Sequence, residues 1–259
     1  MELQDKIAVV TGGGRGIGQA IALAFAREGA HLVLASRTQE ALEETRSMIE
    51  ALGRKALAVP TDIRQEESVR QLAEQTLQAF GRVDILVNNS GTIGPTAPLW
   101  EISLAEWQDT LDSNLTGAFL CCRAFLPAMM EQRSGNIIFI SSMTGKRPLY
   151  GRSPYAASKI GLVGLARTLA WEVGPYNIRV NVISPGAVEG ERIHRVVRLQ
   201  AQAQGITEEE SMRQFTANSP LGRIVPVKDI AATAIFLASD KSGSITGEDI
   251  NVSAGTVMY

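Results

Sequence analysis

A chain of 259 residues, 45% hydrophobic and 20% charged, has room for one large α/β domain or two small ones and for a sizeable core. A net charge of −2 with no basic run gives no reason to expect nucleic acid or an acidic lipid surface as a partner. Met1 to Lys6 lack the basic-then-apolar layout of a secretion signal and no apolar run approaches a membrane span, so a cytoplasmic protein is the expectation.

Cys121 and Cys122, the only cysteines, are adjacent, which suits neither a disulfide framework nor zinc-ligand spacing; packing within the core is their expected role. His31 and His194 lie too far apart in sequence to suggest a metal centre or a histidine-based triad.

Residues 6–10 form a short β-branched run that breaks at Thr11-Gly12-Gly13-Gly14-Arg15-Gly16-Ile17-Gly18. A helical stretch at 19–28 follows and stops at Gly29. Strand, glycine turn and helix in that order let backbone amides approach a phosphate while the helix N-terminus adds partial positive charge. Glycine turns punctuate many α/β proteins, and this one is not Gly-x-Gly-x-x-Gly. Its context nevertheless favours dinucleotide binding, with Gly12, Gly14, Arg15, Gly16, Ile17 and Gly18 as contacts. A strand at 31–35 and a helix at 39–52 continue the β-α-β alternation. Enzymes that bind NAD place a carboxylate near the end of this second strand, whereas the 2′-phosphate of NADP calls for arginine. Here the position reads Ser36-Arg37 with no Asp or Glu at 35–37, and Arg15 can close on the same phosphate. NADP is therefore expected ahead of NAD, although both arginines also suit solvated surface positions.

The third strand, 56–60, leads into Thr61-Asp62-Ile63, which puts Asp62 and Ile63 on the adenine side. A helix at 66–79 closes at Gly81, and a fourth strand at 83–87 delivers Asn88-Asn89-Ser90-Gly91. These loops fall at the carboxyl ends of strands, the edge where an open parallel sheet binds its ligand, so Asn89, Ser90 and Gly91 join the candidates. The capping box Ser103-Leu104-Ala105-Glu106 opens a long helical stretch toward Gln132. Asn114 inside it weakens the helix; a surface role competes with bending the helix or relaying protons through a water.

The fifth strand, 136–140, is apolar on both faces and delivers Ser141-Ser142. In Ser153-Pro154-Tyr155-Ala156-Ala157-Ser158-Lys159, Ser153 suits the N-cap and Pro154 the first helical position. Tyr155 then sits in the first turn, with Lys159 one turn on along the same face. A phenol of pKa about 10 is a poor base at neutral pH, but a cation beside it favours the phenolate. The spacing alone is common on helix surfaces, so the pair needs partners, and one of the two serines can face it across the cleft. That helix runs to Val173 and stops at Gly174-Pro175; a sixth strand at 178–183 opens into Ser184-Pro185-Gly186-Ala187-Val188. The polar stretch 189–219 carries a helical patch at 191–204 and another begun by the capping box Thr207-Glu208-Glu209-Glu210, and its place at the binding edge reads as a lid. Ile193, Val196 and Val197 make an apolar stripe able to cover a pocket. On the neighbouring face Arg192, Arg195 and Arg198 either point to solvent or supply one residue that reaches a negative group on the substrate. A helix at 228–239 and a strand at 248–252 finish the chain. The expected fold is α/β: a doubly wound parallel sheet of about seven strands, Rossmann-like, with helices on both faces, in a single domain over 1–259 with a helical lid near 189–219.

Four features occur together: Thr-Gly-x-x-x-Gly-Ile-Gly at 11–18, Asn-Asn-x-Gly at 88–91, a serine pair after strand five, and Tyr155-x-x-x-Lys159. In that order and spacing the chain resembles the single-domain branch of the short-chain dehydrogenase/reductase family over essentially its whole length. The family's serine stands thirteen residues before the tyrosine, which selects Ser142 over Ser141. The resemblance implies a catalytic set of Asn114, Ser142, Tyr155 and Lys159, with Tyr155 and Lys159 also touching the cofactor. It places Pro185, Gly186 and Val188 along the nicotinamide, and it calls for no metal. It implies a nicotinamide-dependent oxidoreductase acting on a carbonyl or secondary alcohol: Ser142 holds the carbonyl, Tyr155 moves the proton, Lys159 lowers the tyrosine pKa and binds ribose, and Asn114 holds a water. Two alternatives are a 3-oxoacyl-thioester (acyl-carrier-protein) reductase and a non-catalytic NADP-binding sensor. The chain departs from the family at Ser90, usually alanine, at Gly190, usually threonine, and at Ser253-Ala254, usually Asp-Gly. Residues 100–130 and the Tyr155 helix are too apolar for burial on one face, and the resemblance implies that such helices pair across a two-fold axis, with a homotetramer expected first and a dimer next.

Overall fold

The computed structural model describes residues 1–259. Seven strands, β1 (Ile7–Thr11), β2 (His31–Ser36), β3 (Ala56–Pro60), β4 (Ile85–Asn88), β5 (Gly135–Ile140), β6 (Ile178–Pro185) and β7 (Asp249–Val252), form one sheet in the order β3-β2-β1-β4-β5-β6-β7. Every neighbouring pair is parallel. A parallel sheet covered on both faces needs strands that are apolar on both, and β1 is buried throughout. Its alternate residues feed two cores. Val9, with Leu86 and Ile137, packs beneath α3 (Glu66–Phe80), α5 (Gly117–Gln132) and α6 (Ser153–Val173). Ala8 and Val10, with Ile85 and Ile138, pack beneath α1 (Gly16–Arg27), α2 (Gln39–Ala51) and α9 (Val227–Ala238). The strand order reverses between β1 and β4, which opens a crevice at their carboxyl ends. Cys121 and Cys122 are unpaired and buried in the first core, as their spacing suggested.

Boundaries move where tertiary contacts intervene. β4 starts at Ile85 because the preceding residues are used elsewhere: the Val83 N–H donates to Gln132 Oε1 at 3.1 Å, and Asp84 Oδ2 accepts the Ile7 N–H at 2.8 Å. The helix expected to run unbroken toward Gln132 is instead α4 (Leu104–Leu111), a π turn over Asp112–Thr116, and α5. In that turn the Gly117 N–H reaches back five residues to the Asp112 carbonyl. The extra residue is compensated through Asn114, whose side chain bonds Thr92 and Ser158 on neighbouring segments. Ser153 is not the N-cap: the helix begins on Ser153 itself, Arg152 holds the cap position without a side-chain cap bond, and the Ser153 hydroxyl is buried without a partner. Arg152 takes the position because its guanidinium is anchored to the Ile93 carbonyl and Thr96.

The lid consists of α7 (Glu191–Gln204) and α8 (Glu208–Ala217). The Thr207–Glu210 capping box starts α8 as the sequence indicates, and the Ser211 hydroxyl donates to the Val197 carbonyl at 3.1 Å, fastening the two helices together. Ile193 and Val197 are buried beneath the lid and Val196 is half-buried. No helix is long and apolar enough to cross a membrane.

Candidate active site

The glycine turn is shaped by contacts that only glycine tolerates. A methyl on Gly18 would lie 2.2 Å from the Gly12 carbonyl oxygen, and one on Gly12, whose φ is +67°, would lie 2.7 Å from Asn89 Nδ2. At Gly16, φ is +57° and nothing stands within 4 Å of the same position, so the first turn of α1 opens onto free space. A backbone that crosses this closely beneath an open helix N-terminus fits a dinucleotide diphosphate. Thr11, which sequence reasoning passed over, ties the turn to the next loop: its Oγ1 accepts from the Asn89 and Ser90 N–H groups, both at 3.0 Å, and Asn89 Nδ2 donates to its carbonyl at 2.9 Å. Thus Gly12, Gly18, Asn89 and Ser90 meet at the crevice, Gly16 opens beside them and Gly91 lies next to Asn114 and Lys159, whereas Gly14 packs against Ala41 of α2, Ile17 is half-buried against the core and Arg15 is exposed.

The adenine end is more mixed. Ser36 closes β2, and Arg37 and Arg15 are exposed with no carboxylate paired to either. Asp62 is near, but its carboxylate is occupied: Arg64 Nε donates to Oδ1 at 3.0 Å and Nη2 to Oδ2 at 2.6 Å, while Arg64 Nη1 continues to Asp109 at 2.7 Å. Those bonds, and more weakly the charge of Arg37, hold the Asp62 carboxyl below the usual carboxylate range against the opposing effect of partial burial. The side chain of Ile63 faces away from the crevice into the core, where Gly117 leaves room for it.

At the nicotinamide end, Pro185 closes β6 and the Gly186 N–H donates to the Val252 carbonyl at 2.9 Å; a methyl on Gly186 would lie 2.8 Å from the Ser253 α-carbon. Val188 bridges to Val225 at the base of the lid. Gly190 has φ of +119°, a conformation that side chains rarely adopt, which accounts for glycine where threonine is usual. Ala254, at φ +53°, occupies a left-handed position better suited to the usual glycine.

β5 delivers the two serines in different directions. Ser141 Oγ donates to the Lys159 carbonyl at 2.8 Å and so joins β5 to α6, whereas Ser142 Oγ accepts the Thr144 N–H at 3.1 Å and faces the Tyr155 phenol. Lys159, one turn beyond Tyr155, is buried with Nζ donating to the Ile140 carbonyl at 2.8 Å. Asn114 Oδ1 accepts the Thr92 N–H at 2.7 Å and Nδ2 donates to Ser158 Oγ at 2.9 Å; Ser158 Oγ in turn donates to the Tyr155 carbonyl at 2.8 Å. Asn114 therefore holds the start of α6 in place, and its side chain is committed to protein partners. A water placed at this residue would use the backbone, where a π turn leaves a carbonyl without its usual amide.

Burial would raise the Tyr155 pKa, but Lys159, then Arg192, the Ser142 hydroxyl and Arg152 outweigh it and bring it below the ordinary phenol value. Burial lowers the Lys159 pKa to about 8, with Tyr155 opposing and Arg192 adding to the drop. Arg152, three residues before Tyr155, carries no sequence motif, yet its guanidinium lies 4.8 Å from the centroid of the Tyr155 ring. Of the three lid arginines, only Arg192 enters the site, donating to the Gly91 carbonyl at 2.8 Å; Arg198 pairs with Glu208 and Arg195 is exposed. The site can pass a proton through a phenol whose anion is favoured, next to a cradle for a dinucleotide.

A family model described as Enoyl-(Acyl carrier protein) reductase matches residues 12–257. The chain is 32% identical over 258 residues to a 3-oxoacyl-[acyl-carrier-protein] reductase of Thermotoga maritima, covering 100% of both chains. Among solved structures it resembles an NAD+-bound xylitol dehydrogenase, with TM-score 0.96 and 31% identity over 98% of this chain and 100% of the other. It also resembles an actinorhodin polyketide ketoreductase with NADPH, with TM-score 0.94 and 31% identity over 98% of each. With that full-length match, a seven-stranded sheet in the order 3-2-1-4-5-6-7 and the glycine turn, serine and tyrosine–lysine pair on one edge, the chain belongs to the short-chain dehydrogenase/reductase family of nicotinamide-dependent oxidoreductases.

Proposed function

We propose that the protein interconverts a carbonyl compound and a secondary alcohol, with Tyr155 as general acid and base and with NADP(H) preferred over NAD(H). The observation that carries this reading is the Tyr155 phenol, faced by Ser142 and flanked by cations, beside a glycine cradle that fits a diphosphate. The nicotinamide, when bound, supplies or accepts the hydride. In reduction Ser142 donates a hydrogen bond to the substrate oxygen and Tyr155 gives that oxygen its proton as negative charge develops; oxidation reverses the order. Lys159 favours the phenolate left behind, and Asn114 fixes the tyrosine helix through Ser158. Gly12, Gly16 and Gly18 with the α1 N-terminus would hold the diphosphate, and Pro185, Gly186 and Val188 would line the nicotinamide side. Arg37, seconded by Arg15, would take the 2′-phosphate. The absence of a carboxylate at the end of β2, together with the engagement of Asp62 by Arg64, supports NADP.

Tyr155→Phe tests the assignment: turnover falls by about 10²–10⁴ while NADPH binding, followed by fluorescence titration, stays near wild type. A variant keeping more than about a tenth of the wild-type rate assigns proton transfer to another group. A 3-oxoacyl-thioester substrate is a second reading, favoured by the name of the Thermotoga maritima relative. Assembly as a homotetramer is part of the proposal, supported by apolar residues exposed on α5 and α6.

A further inference from the structure

Three positive groups surround the Tyr155 phenol, and none of them has a carboxylate partner. Lys159 is buried against the Ile140 carbonyl. Arg152 is 2% exposed and lies against the Tyr155 ring, with Nη2 on the Ile93 carbonyl at 2.6 Å, Nη1 on the Thr96 hydroxyl at 3.2 Å, and a buried Nε without any partner. Arg192 reaches in from the first turn of α7 and spends one of its donors on the Gly91 carbonyl. A methyl at Gly91 would stand 3.6 Å from Lys159 Nζ, so Arg192 and Lys159 converge on the same residue. The lid arginine that does find a carboxylate, Arg198, is turned outward to Glu208. A recess between the segment after Ser142 and the lid helices has Arg147 as the only charged residue among those lining it, which include Met143, Leu149, Gln200 and Phe215.

Lys159 and Arg152 are buried without a counter-charge, which is costly, and a phenolate at Tyr155 balances only one of them; Arg192 adds a third positive charge at the exposed mouth of the cleft. A guanidinium has five donors in a planar fork, and Arg192 leaves most of them free at the mouth of the cleft, where a carboxylate, sulfonate or phosphate can be held by two parallel hydrogen bonds. A cleft lined by charge of one sign also raises the local concentration of oppositely charged ligand.

We propose that the substrate is anionic, and that Arg192 binds its carboxylate, sulfonate or phosphate group over the Tyr155 phenol while buried Arg152 adds a second positive charge behind the ring. This inference rests on the oxidoreductase reading of the same site and narrows its substrate class. Arg192 thereby becomes the residue that sets specificity, and Arg195, three positions on along the same helix, takes no part.

The test compares 2-, 3- and 4-oxo acids of four or five carbons with the methyl ester of each, using NADPH and NADH. The wild-type enzyme is expected to favour at least one acid over its ester by about 10-fold or more in kcat/KM, the loss expected for a charge-assisted hydrogen bond. Arg192→Ala raises KM for that acid about 10-fold or more and erases the preference, Arg192→Lys restores part of it, and Arg195→Ala behaves as wild type. NADPH affinity, titrated by fluorescence on the same proteins, moves less than about 3-fold, because the group being bound belongs to the substrate. Equal handling of every acid and its ester, or an Arg192→Ala variant that loses NADPH affinity instead, overturns the proposal; the second result assigns Arg192 to the cofactor diphosphate. Calorimetric titration of the NADP+-loaded enzyme with the same acids and esters separates the two readings. Arg192-dependent acid binding without turnover of any compound upholds the anion site and removes the carbonyl reaction. Turnover without discrimination upholds the reaction and removes the anion site.

Discussion

Tyr155 owes its chemistry to its neighbours, and the direction of each neighbour's effect gives a pH dependence. In alcohol oxidation the phenolate is the base, so the rate rises as pH passes an apparent pKa below the ordinary value of about 10; in carbonyl reduction the phenol is the acid, and the rate falls through the same limb. Lys159 loses its proton near pH 8, so the limb belongs to the pair and not to the tyrosine alone. Lys159→Met removes the cation that lowers the Tyr155 pKa most and shifts the oxidation limb upward; an unmoved limb would assign the depression to the two arginines. At the other end of the cleft, Arg37→Asp weakens NADPH by about 10-fold or more relative to NADH, since charge-assisted bonds to phosphate contribute about 1.5–3 kcal/mol each, and equal efficiency of the two cofactors in the unmodified enzyme would remove the preference. Tyr155 and Lys159 are legible in the sequence because helical spacing fixes their relation; the end of one strand delivers Ser141 and Ser142 alike, and only the family resemblance chooses Ser142. Arg152 is not. Its position three residues before the tyrosine signals nothing until the loop at Ile93 and Thr96 closes over it and buries it. Among the lid arginines, periodicity names Arg192, Arg195 and Arg198 alike, and only the docking of α7 separates them.

The same division holds for whole elements. Local signals suffice for α1, ended by Arg27 and followed by Gly29 at φ +94°, for α3, ended by Gly81 at φ +73°, and for α8, started by its capping box. The π turn at Asp112–Thr116 carries no such signal, because Asn114 meets Thr92 and Ser158 only after β4 and α6 have packed. The glycine turn lies between these cases: its sequence announces a turn, but which glycine is indispensable depends on a long-range approach. Gly18→Ala places a methyl 2.2 Å from the Gly12 carbonyl and has no room to relax against backbone, so it costs NADPH affinity about 10-fold or more and lowers the melting temperature. Gly16→Ala meets nothing within 4 Å and carries only the left-handed backbone penalty, about 1–2 kcal/mol. Parallel thermal melts and cofactor titrations rank the two. A Gly18→Ala protein that binds NADPH as well as Gly16→Ala does would remove the turn from the cofactor site.

For the molecule as a whole, the large apolar side chains left in solvent cluster on the segments expected to pair. Trp100, Leu104, Phe119, Ile160 and Trp171 are exposed on or just before α4, α5 and α6, with Trp171 at 88%. A monomer rarely leaves so much apolar surface open. Trp171 stands apart from the others beside Arg167, Pro175 and Thr246, near the β7 edge of the sheet, whereas Phe119 projects from α5 near Arg123, on the element that leads out of the π turn. Two separate patches suit a tetramer of dihedral symmetry, which needs two distinct self-complementary interfaces. Sedimentation is therefore expected to give a tetramer for the wild type, a dimer for Phe119→Glu alone and for Trp171→Glu alone, and a monomer for the pair together. A concentration-independent wild-type monomer would end the assembly proposal. If one substitution left the tetramer intact while the other took it directly to monomers, the unaffected patch would lie outside every subunit contact, and a cyclic arrangement with a single kind of interface would replace the dihedral one.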